Sequence, residues 1–433
     1  MMIWKKCIAA AVAAAALLSA TPVFAMAAEE PTFIPYYAYP YMQNDEDTEA
    51  EAVAEEEEIT EPEEPVIPPD AEDTLSFENL ETRVRTGNPS ILALEESIAS
   101  IDAVDYEQMR KTLLDQINAV ASASRFMSSL GINVDLTSAS KSLLDVWDDL
   151  KEGKIQKDYE DAKRQLEYVL DLTVQGAQML YITTVTLEQN LEDGERGLAA
   201  LDRTIEEMQL RYELGQIPEM TLLQLQDTRA STASQLETLR TNIATCKAQL
   251  QVMIGETPTG ELTLMPLPEV VQEQVDAMNL EEDLEQAKSV SWTLYDAADT
   301  LDDAREDYLE GMRENSTPAT AYVREQIEHT YQAAQYTYQA TVQSFELSFG
   351  SEYRAVKNDW QVLQANISSY AYQQKNYAVA ETKYAQGTIS RNDLLTEKDN
   401  LMAAASAVVT ARNNLFKDYN AYQWAVVRGI VSQ

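Results

Sequence analysis

Histidine and cysteine are almost missing from this 433-residue chain, which holds one His and two Cys. With His329 alone there is no His pair to hold a metal, and any Ser/His/Asp relay would have to run through that residue. His329 stands between Glu328 and Thr330 in a helical pattern, and no Gly-x-Ser-x-Gly turn accompanies it. Cys7 lies in the N-terminal apolar run, so removal of that run leaves Cys246 unable to form an intramolecular disulfide or a thiolate metal cluster. Cys246 falls in a helical pattern and reads as a small packed residue. No Gly-x-x-x-x-Gly-Lys-Ser/Thr phosphate loop occurs. Adjacent carboxylates such as Asp302 and Asp303 are frequent, but neighbours in sequence point different ways on a helix, so they read as solvated face. Catalysis, a resident metal and a cofactor are therefore not expected. Basic residues are scarce too: 32 Lys and Arg stand against 73 Asp and Glu, for a net charge of −41, which disfavours binding to nucleic acid or anionic lipid through charge.

Residues 1–25 read as a secretory signal: Lys5 and Lys6, an Ala/Leu/Val-rich run, then Val23-Phe24-Ala25 before cleavage. If retained, the segment would be an N-terminal anchor. No second stretch is apolar for long enough to cross a bilayer as a helix. Residues 26–75 read as a disordered linker. Tyr36, Tyr37, Tyr39 and Tyr41 stand among prolines, and Asp45 to Asp73 carries about fifteen acids and no base. These acids lack the Gly and spacing of a calcium loop and read as a solvated spacer.

Two short stretches organise the rest. Arg211-Tyr212-Glu213-Leu214-Gly215-Gln216-Ile217-Pro218 is followed by Leu222-Leu223, and Lys383-Tyr384-Ala385-Gln386-Gly387-Thr388-Ile389-Ser390 by Leu394-Leu395. Tyr212 and Tyr384 stand 384 − 212 = 172 residues apart, and the Gly, Ile and Leu pairs keep that offset without a gap. A Gly just past a helix end takes the left-handed cap, and a Pro suits the first turn of the helix that follows. Each stretch therefore reads as a tight turn between antiparallel helices. Upstream of the second turn, Val342, Phe349, Val356, Leu363, Tyr370, Tyr377 and Tyr384 recur every seven residues. The offset maps them onto Leu170, Ala177, Thr184, Leu191, Leu198, Ile205 and Tyr212, six of which are apolar or aromatic. That period belongs to helices that supercoil to keep one seam buried. A helix over 157–213 would run about 85 Å at 1.5 Å per residue. The returning helices use Leu222, Leu236, Ile243 and Leu250 in the first copy, and Leu394, Leu401, Val408, Leu415 and Tyr422 in the second.

Asn88-Pro89-Ser90 starts a helical pattern that runs from Ile91 to about Phe126, and 129–140 reads as a turn. A short helix over 143–150 ends at Gly153. The first hairpin closes at Gly255 to Gly260, and 262–271 is a Pro-punctuated connector. The second copy opens at Asn279 with a helix to about Glu314, breaks at Asn315-Ser316-Thr317-Pro318, and descends to Gly387. The expected fold is all-α: two tandem repeats, 76–268 and 269–433, of long antiparallel coiled-coil hairpins.

At these residues the sequence resembles the TolC-like family of trimeric outer-membrane efflux and secretion ducts. The two Arg/Lys-Tyr-x-x-Gly-x-Ile turns carry the resemblance, with Asn88-Pro89 and Gly255-Glu256-Thr257-Pro258 in support. It implies a homotrimer whose hairpins close a hollow helical cylinder. It also implies hairpin tips that dock a membrane-fusion adaptor, working with an ABC or other inner-membrane exporter. Leu214, Gly215 and Gln216, and Gln386, Gly387 and Thr388, take the adaptor-contacting positions. Asp393 and Tyr384 take the entrance constriction; the first copy has Thr221 where the second has Asp393. The family also closes a transmembrane β-barrel from two strands per copy, which need about 9–11 alternating residues each. Here 127–156 offers only the short alternation Gly131 to Leu136, and 312–320 has no room for a pair, so the barrel is expected to be missing. Two functions follow: a duct of an export system in the cell envelope, or a non-conducting helical scaffold or spacer of the same fold.

Overall fold

The structure is a computed structural model and describes residues 70–431, except 72 and 130–136. The signal, most of the linker and the Gly131 to Leu136 alternation lie outside the described residues.

The chain begins with a two-residue strand, β1 (Thr74–Leu75). The first copy then runs through α1 (Phe77–Gly87), α2 (Pro89–Asp102), α3 (Tyr106–Ser129), α4 (Thr137–Lys151), α5 (Lys154–Glu213) and α6 (Glu219–Met253). A second strand, β2 (Thr263–Leu264), pairs in parallel with β1, Thr74 opposite Thr263 and Leu75 opposite Leu264. The second copy follows as α7 (Gln272–Ala277), α8 (Leu280–Val290), α9 (Trp292–Glu314), a 3₁₀ turn at Pro318–Thr320, α10 (Ala321–Ala385) and α11 (Arg391–Arg428). The long helices α5 and α10, of 60 and 65 residues, are about 90 and 98 Å long at 1.5 Å per residue. The expected all-α tandem hairpins are what the chain forms.

Four helices stand side by side in the order α6, α5, α11, α10. Each hairpin is joined by its own apolar seam. Phe349, Val356 and Leu363 on α10 are buried against Val408, Leu415 and Tyr422 on α11, and Leu170, Ala177 and Thr184 on α5 are buried in the first copy with Leu236, Ile243 and Leu250 on α6. Towards the tips the seam between the copies is polar. Arg203 pairs with Asp399, Arg196 donates to the Met402 carbonyl at 3.1 Å, and Gln189 meets Ser406 at 3.3 Å. Higher up, the buried Gln178 carbonyl accepts from Trp424 Nε1 at 2.7 Å and Asn420 Nδ2 at 2.9 Å. Trp424 and Ile430, from the end of the second copy, pack into the core of the first. Tyr181 on α5 reaches the carbonyls of Leu75 and Met265 at 2.9 and 2.6 Å, which pins the small sheet to the wall, and burial pushes its hydroxyl pKa up.

The duplication reaches further than the 172-residue offset. Ser76 and Asn279 cap α1 and α8, each of 11 residues, and Asn88 and Ser291 end those helices while capping the next. Both spacings are 203, from 279 − 76 and 291 − 88. Asn88 and Ser291 share nearly one backbone conformation, φ −75°, ψ 116° and φ −71°, ψ 116°. The helix expected from Asn279 to Glu314 is thus two helices with a kink at Ser291. The pattern expected as one helix from Ile91 to Phe126 is likewise broken, at Ala103 to Asp105, where Asp105 accepts from Gln108 N–H at 2.9 Å and restarts the chain as α3. Helix α4 begins at Thr137, inside the stretch expected as a turn. Pro218 is the N-cap of α6 rather than its first helical residue.

Candidate functional site

The two hairpin turns close in one way. At the first, Leu214 ends α5 and Gly215 takes φ +71°. Gly215 N–H then donates to the Tyr212 carbonyl, and Gln216 N–H to the Arg211 carbonyl, both at 2.8 Å. At the second, Gln386 ends α10 and Gly387 takes φ +70°. Its N–H donates to the Tyr384 carbonyl, and Thr388 N–H to the Lys383 carbonyl, both at 2.9 Å. This is the paired 6→1 and 5→2 pattern that satisfies the last carbonyls of a helix and requires a left-handed residue. The two turns lie at the same end of the wall: Asn392, just past the second, donates to Glu207, just before the first, at 2.8 Å.

The outgoing helices start differently. Pro218 offers α6 no side-chain cap. Ser390 offers α11 a full capping box: its Oγ accepts from Asp393 N–H at 3.1 Å, and the Asp393 carboxylate accepts from Ser390 N–H at 2.9 Å and from its hydroxyl at 2.8 Å. The Ser390 backbone N–H, then its hydroxyl, hold the Asp393 carboxyl below its ordinary pKa, so it is ionised at neutral pH.

All six residues expected to contact an adaptor, Leu214, Gly215, Gln216, Gln386, Gly387 and Thr388, are exposed on these tips. Tyr384 is 43% exposed, and Asp393 sits on the same surface with its carboxylate turned back into the capping box. The tips are alike in backbone and unlike in chemistry. Around the first, Leu210, Leu214, Met220 and Leu223 are 58, 64, 64 and 47% exposed. The second presents Gln386, Thr388 and Asn392. Leu214 was expected at this tip; Leu210 and Met220 join it through their exposure, and the signal in the sequence is Met220 standing 172 residues before the polar Asn392.

No family model matches the chain, and no curated protein matches it significantly. Solved structures do. A membrane protein from Pseudomonas aeruginosa is 10% identical and superposes with a TM-score of 0.51 over 81% of this chain and 90% of that one. The outer membrane protein VceC of Vibrio cholerae is 13% identical, with a TM-score of 0.47 over 81% and 96% of the two chains. CusC is 14% identical, with 0.47 over 82% and 96%. The fold is TolC-like. The hairpins and both tips that the resemblance implies are present. Where the resemblance implies barrel strands, the second copy turns from α9 to α10 through Asn315 to Thr320, and β1 and β2 are the only strands among the described residues. No helix among the described residues is long and apolar enough to cross a membrane.

Proposed function

We propose that three copies of this chain close a helical duct of an export system in the cell envelope, and that the duct docks a membrane-fusion adaptor at its hairpin tips and works with an ABC or other inner-membrane exporter. The protein is read as a conduit and not as an enzyme. One observation carries the proposal: two turns with the same cap geometry stand together at one end of a four-helix wall whose outer helices, α6 and α10, end the row in the chain. Towards the tips the wall is one helix thick and cannot bury both sides of its seams, and Tyr212 and Tyr384 there are 37 and 43% exposed. Neighbouring copies would cover these edges, as heptad helices require. Asp393 and Tyr384 would ring the entrance, with the ionised carboxylates of three copies near one axis repelling each other.

The test is a paired measurement. Light scattering on the exported chain should give a trimer; a monomer across micromolar concentrations, with and without detergent, removes the duct. Gly215→Ala with Gly387→Ala should weaken adaptor docking about tenfold, or 1.4 kcal/mol, beyond its effect on the thermal midpoint. Unchanged adaptor affinity in the folded double variant removes the docking site. A second reading is a non-conducting helical spacer, favoured by the helical α9–α10 turn in place of strands. Reconstituted conductance that changes in Asp393→Asn supports the duct; absence of conductance in a proven trimer supports the spacer.

A further inference from the structure

The far end of the chain, away from the tips, has its own unpartnered edges. There the helices stand in the order α3, α4, α5, α9, α10. Helix α3 has no buried side chain, although Met109, Leu113, Ile117, Val120 and Ser124 form a half-buried stripe on one face. Beside that stripe runs a second one at coiled-coil spacing: Lys111, Leu114, Asn118, Ala121 and Arg125, all exposed except the half-buried Ala121. At the other edge, Tyr331 on α10 stacks on Tyr308 of α9 with ring centroids 5.0 Å apart. Tyr322 is nine residues earlier, about half a turn round the helix from Tyr331, and so points away from α9. Tyr322, His329 and Tyr336 recur every seven residues there, with Gln326 and Ala333 between them, and all are exposed; Tyr322 and Tyr336 are 71 and 70% exposed.

Three features make these two edges fit each other. The first is charge. In a chain of net charge −41, α3 carries Arg110, Lys111 and Arg125 against Glu107 and Asp115, while the first part of α10 carries Glu325 and Glu328 against Arg324, with the eight carboxylates of α9 behind it against Arg305 and Arg313. The second is spacing. Lys111 and Arg125 are fourteen residues apart, as are Tyr322 and Tyr336. Helix α3 runs away from the sheet and α10 runs back towards it, so an antiparallel pairing sets Arg125 against Tyr322 and Lys111 against Tyr336. The third is height. Tyr106 is level with Tyr159, Lys157 with Asp299, and Tyr308 with Tyr331. Counting about 1.5 Å per residue from the Lys157 level puts Lys111 near 4.5 Å and Tyr336 near 6 Å, then Arg125 near 25.5 Å and Tyr322 near 27 Å. A cation over each tyrosine ring is a favourable contact.

We infer that the far end of the assembly is a helical collar in which α3 of one copy packs against the first third of α10 in the next copy, Lys111 over Tyr336 and Arg125 over Tyr322. The occupant of each edge is a second copy of this chain. The inference rests on the ring assembly proposed above, and it continues that interface past the point where the resemblance implies strands.

The test uses the full chain carrying Cys7→Ser and Cys246→Ser. One preparation carries Arg125→Cys and another Tyr322→Cys; a second set carries Lys111→Cys and Tyr336→Cys. Mixed and oxidised, each set should give a heterotypic disulfide, and a chain with both cysteines of a set should form a ladder up to a covalent trimer. Ala123→Cys, exposed nearly level with Arg125 on the opposite face of α3, should not bridge to Tyr322→Cys. Lys111→Glu with Arg125→Glu should raise the concentration at which copies assemble by about tenfold. A trimer by light scattering that yields neither bridge overturns the collar and leaves the duct standing. A monomeric parent chain removes both.

Discussion

Gly255 and Gly215 share a left-handed backbone, φ +77° and +71°, but differ in what surrounds them. A Cβ on Gly215 would meet nothing within 4 Å, whereas one on Gly255 would stand 2.1 Å from the Gly87 carbonyl oxygen. The approach is mutual, since a Cβ on Gly87 would stand 2.1 Å from the Ile254 carbonyl oxygen. Gly255→Ala therefore forces two backbone segments apart, while Gly215→Ala meets only the conformational penalty. That penalty is about 1 kcal/mol. Overpacking against a rigid neighbour adds about 1–3 kcal/mol, so Gly255→Ala should cost about 3 kcal/mol. With about 2 °C of midpoint per kcal/mol for a large domain, the expected drops are about 2 °C for Gly215→Ala and 6 °C for Gly255→Ala. Gly87→Ala should fall between them, because its helical backbone accepts Ala and only the overlap costs. Differential scanning calorimetry on the three single variants at one protein concentration decides this. Equal drops at Gly215 and Gly255 would falsify the close approach of the α1 and α6 ends.

Gln178→Leu leaves the Trp424 indole N–H without its acceptor in a buried site and should destabilise the chain by about 1–3 kcal/mol in urea unfolding; a loss under 0.5 kcal/mol would mean the joint between copies does not depend on it. Phe349→Ala empties a fully buried ring position and should cost about 3–5 kcal/mol, whereas Tyr384→Ala, half exposed at the tip, should leave the midpoint almost unchanged; similar losses would contradict a seam buried mid-helix and open at the tip. Ser390→Ala removes one half of the capping box and should cost about 1 kcal/mol, read as faster amide exchange in the first turn of α11. Because the folded pKa of Asp393 is depressed, its contribution is present above the unfolded value of about 3.9 and fades as pH falls through the lower folded value; an NMR titration midpoint at or above 3.9 would refute that bond.

The tips illustrate what the sequence holds by itself. A Gly that must take positive φ, a seven-residue apolar period and a gapless 172-residue offset are local or periodic signals, and each is forced by backbone sterics or by one buried seam. They determined the hairpins, the turn residues and the doubling of the chain. The kinks at Ser291 and at Ala103 to Asp105 escaped because Ser and Asp cap a helix only where the neighbouring chain lets the backbone extend, and their composition within a helical stretch is ordinary. The pairing of β1 with β2 joins residues 189 apart through four backbone positions, too few for any alternation to register. The asymmetry of the tips, apolar at Met220 and capped at Ser390, was written in the sequence but took its meaning from exposure, which only the packed wall assigns. The same holds for the seam between copies. Gln178, Asn420 and Trp424 are unremarkable apart, and become one buried hydrogen-bonded joint only when α5 and α11 lie side by side, because a polar group must find its partner wherever burial removes water.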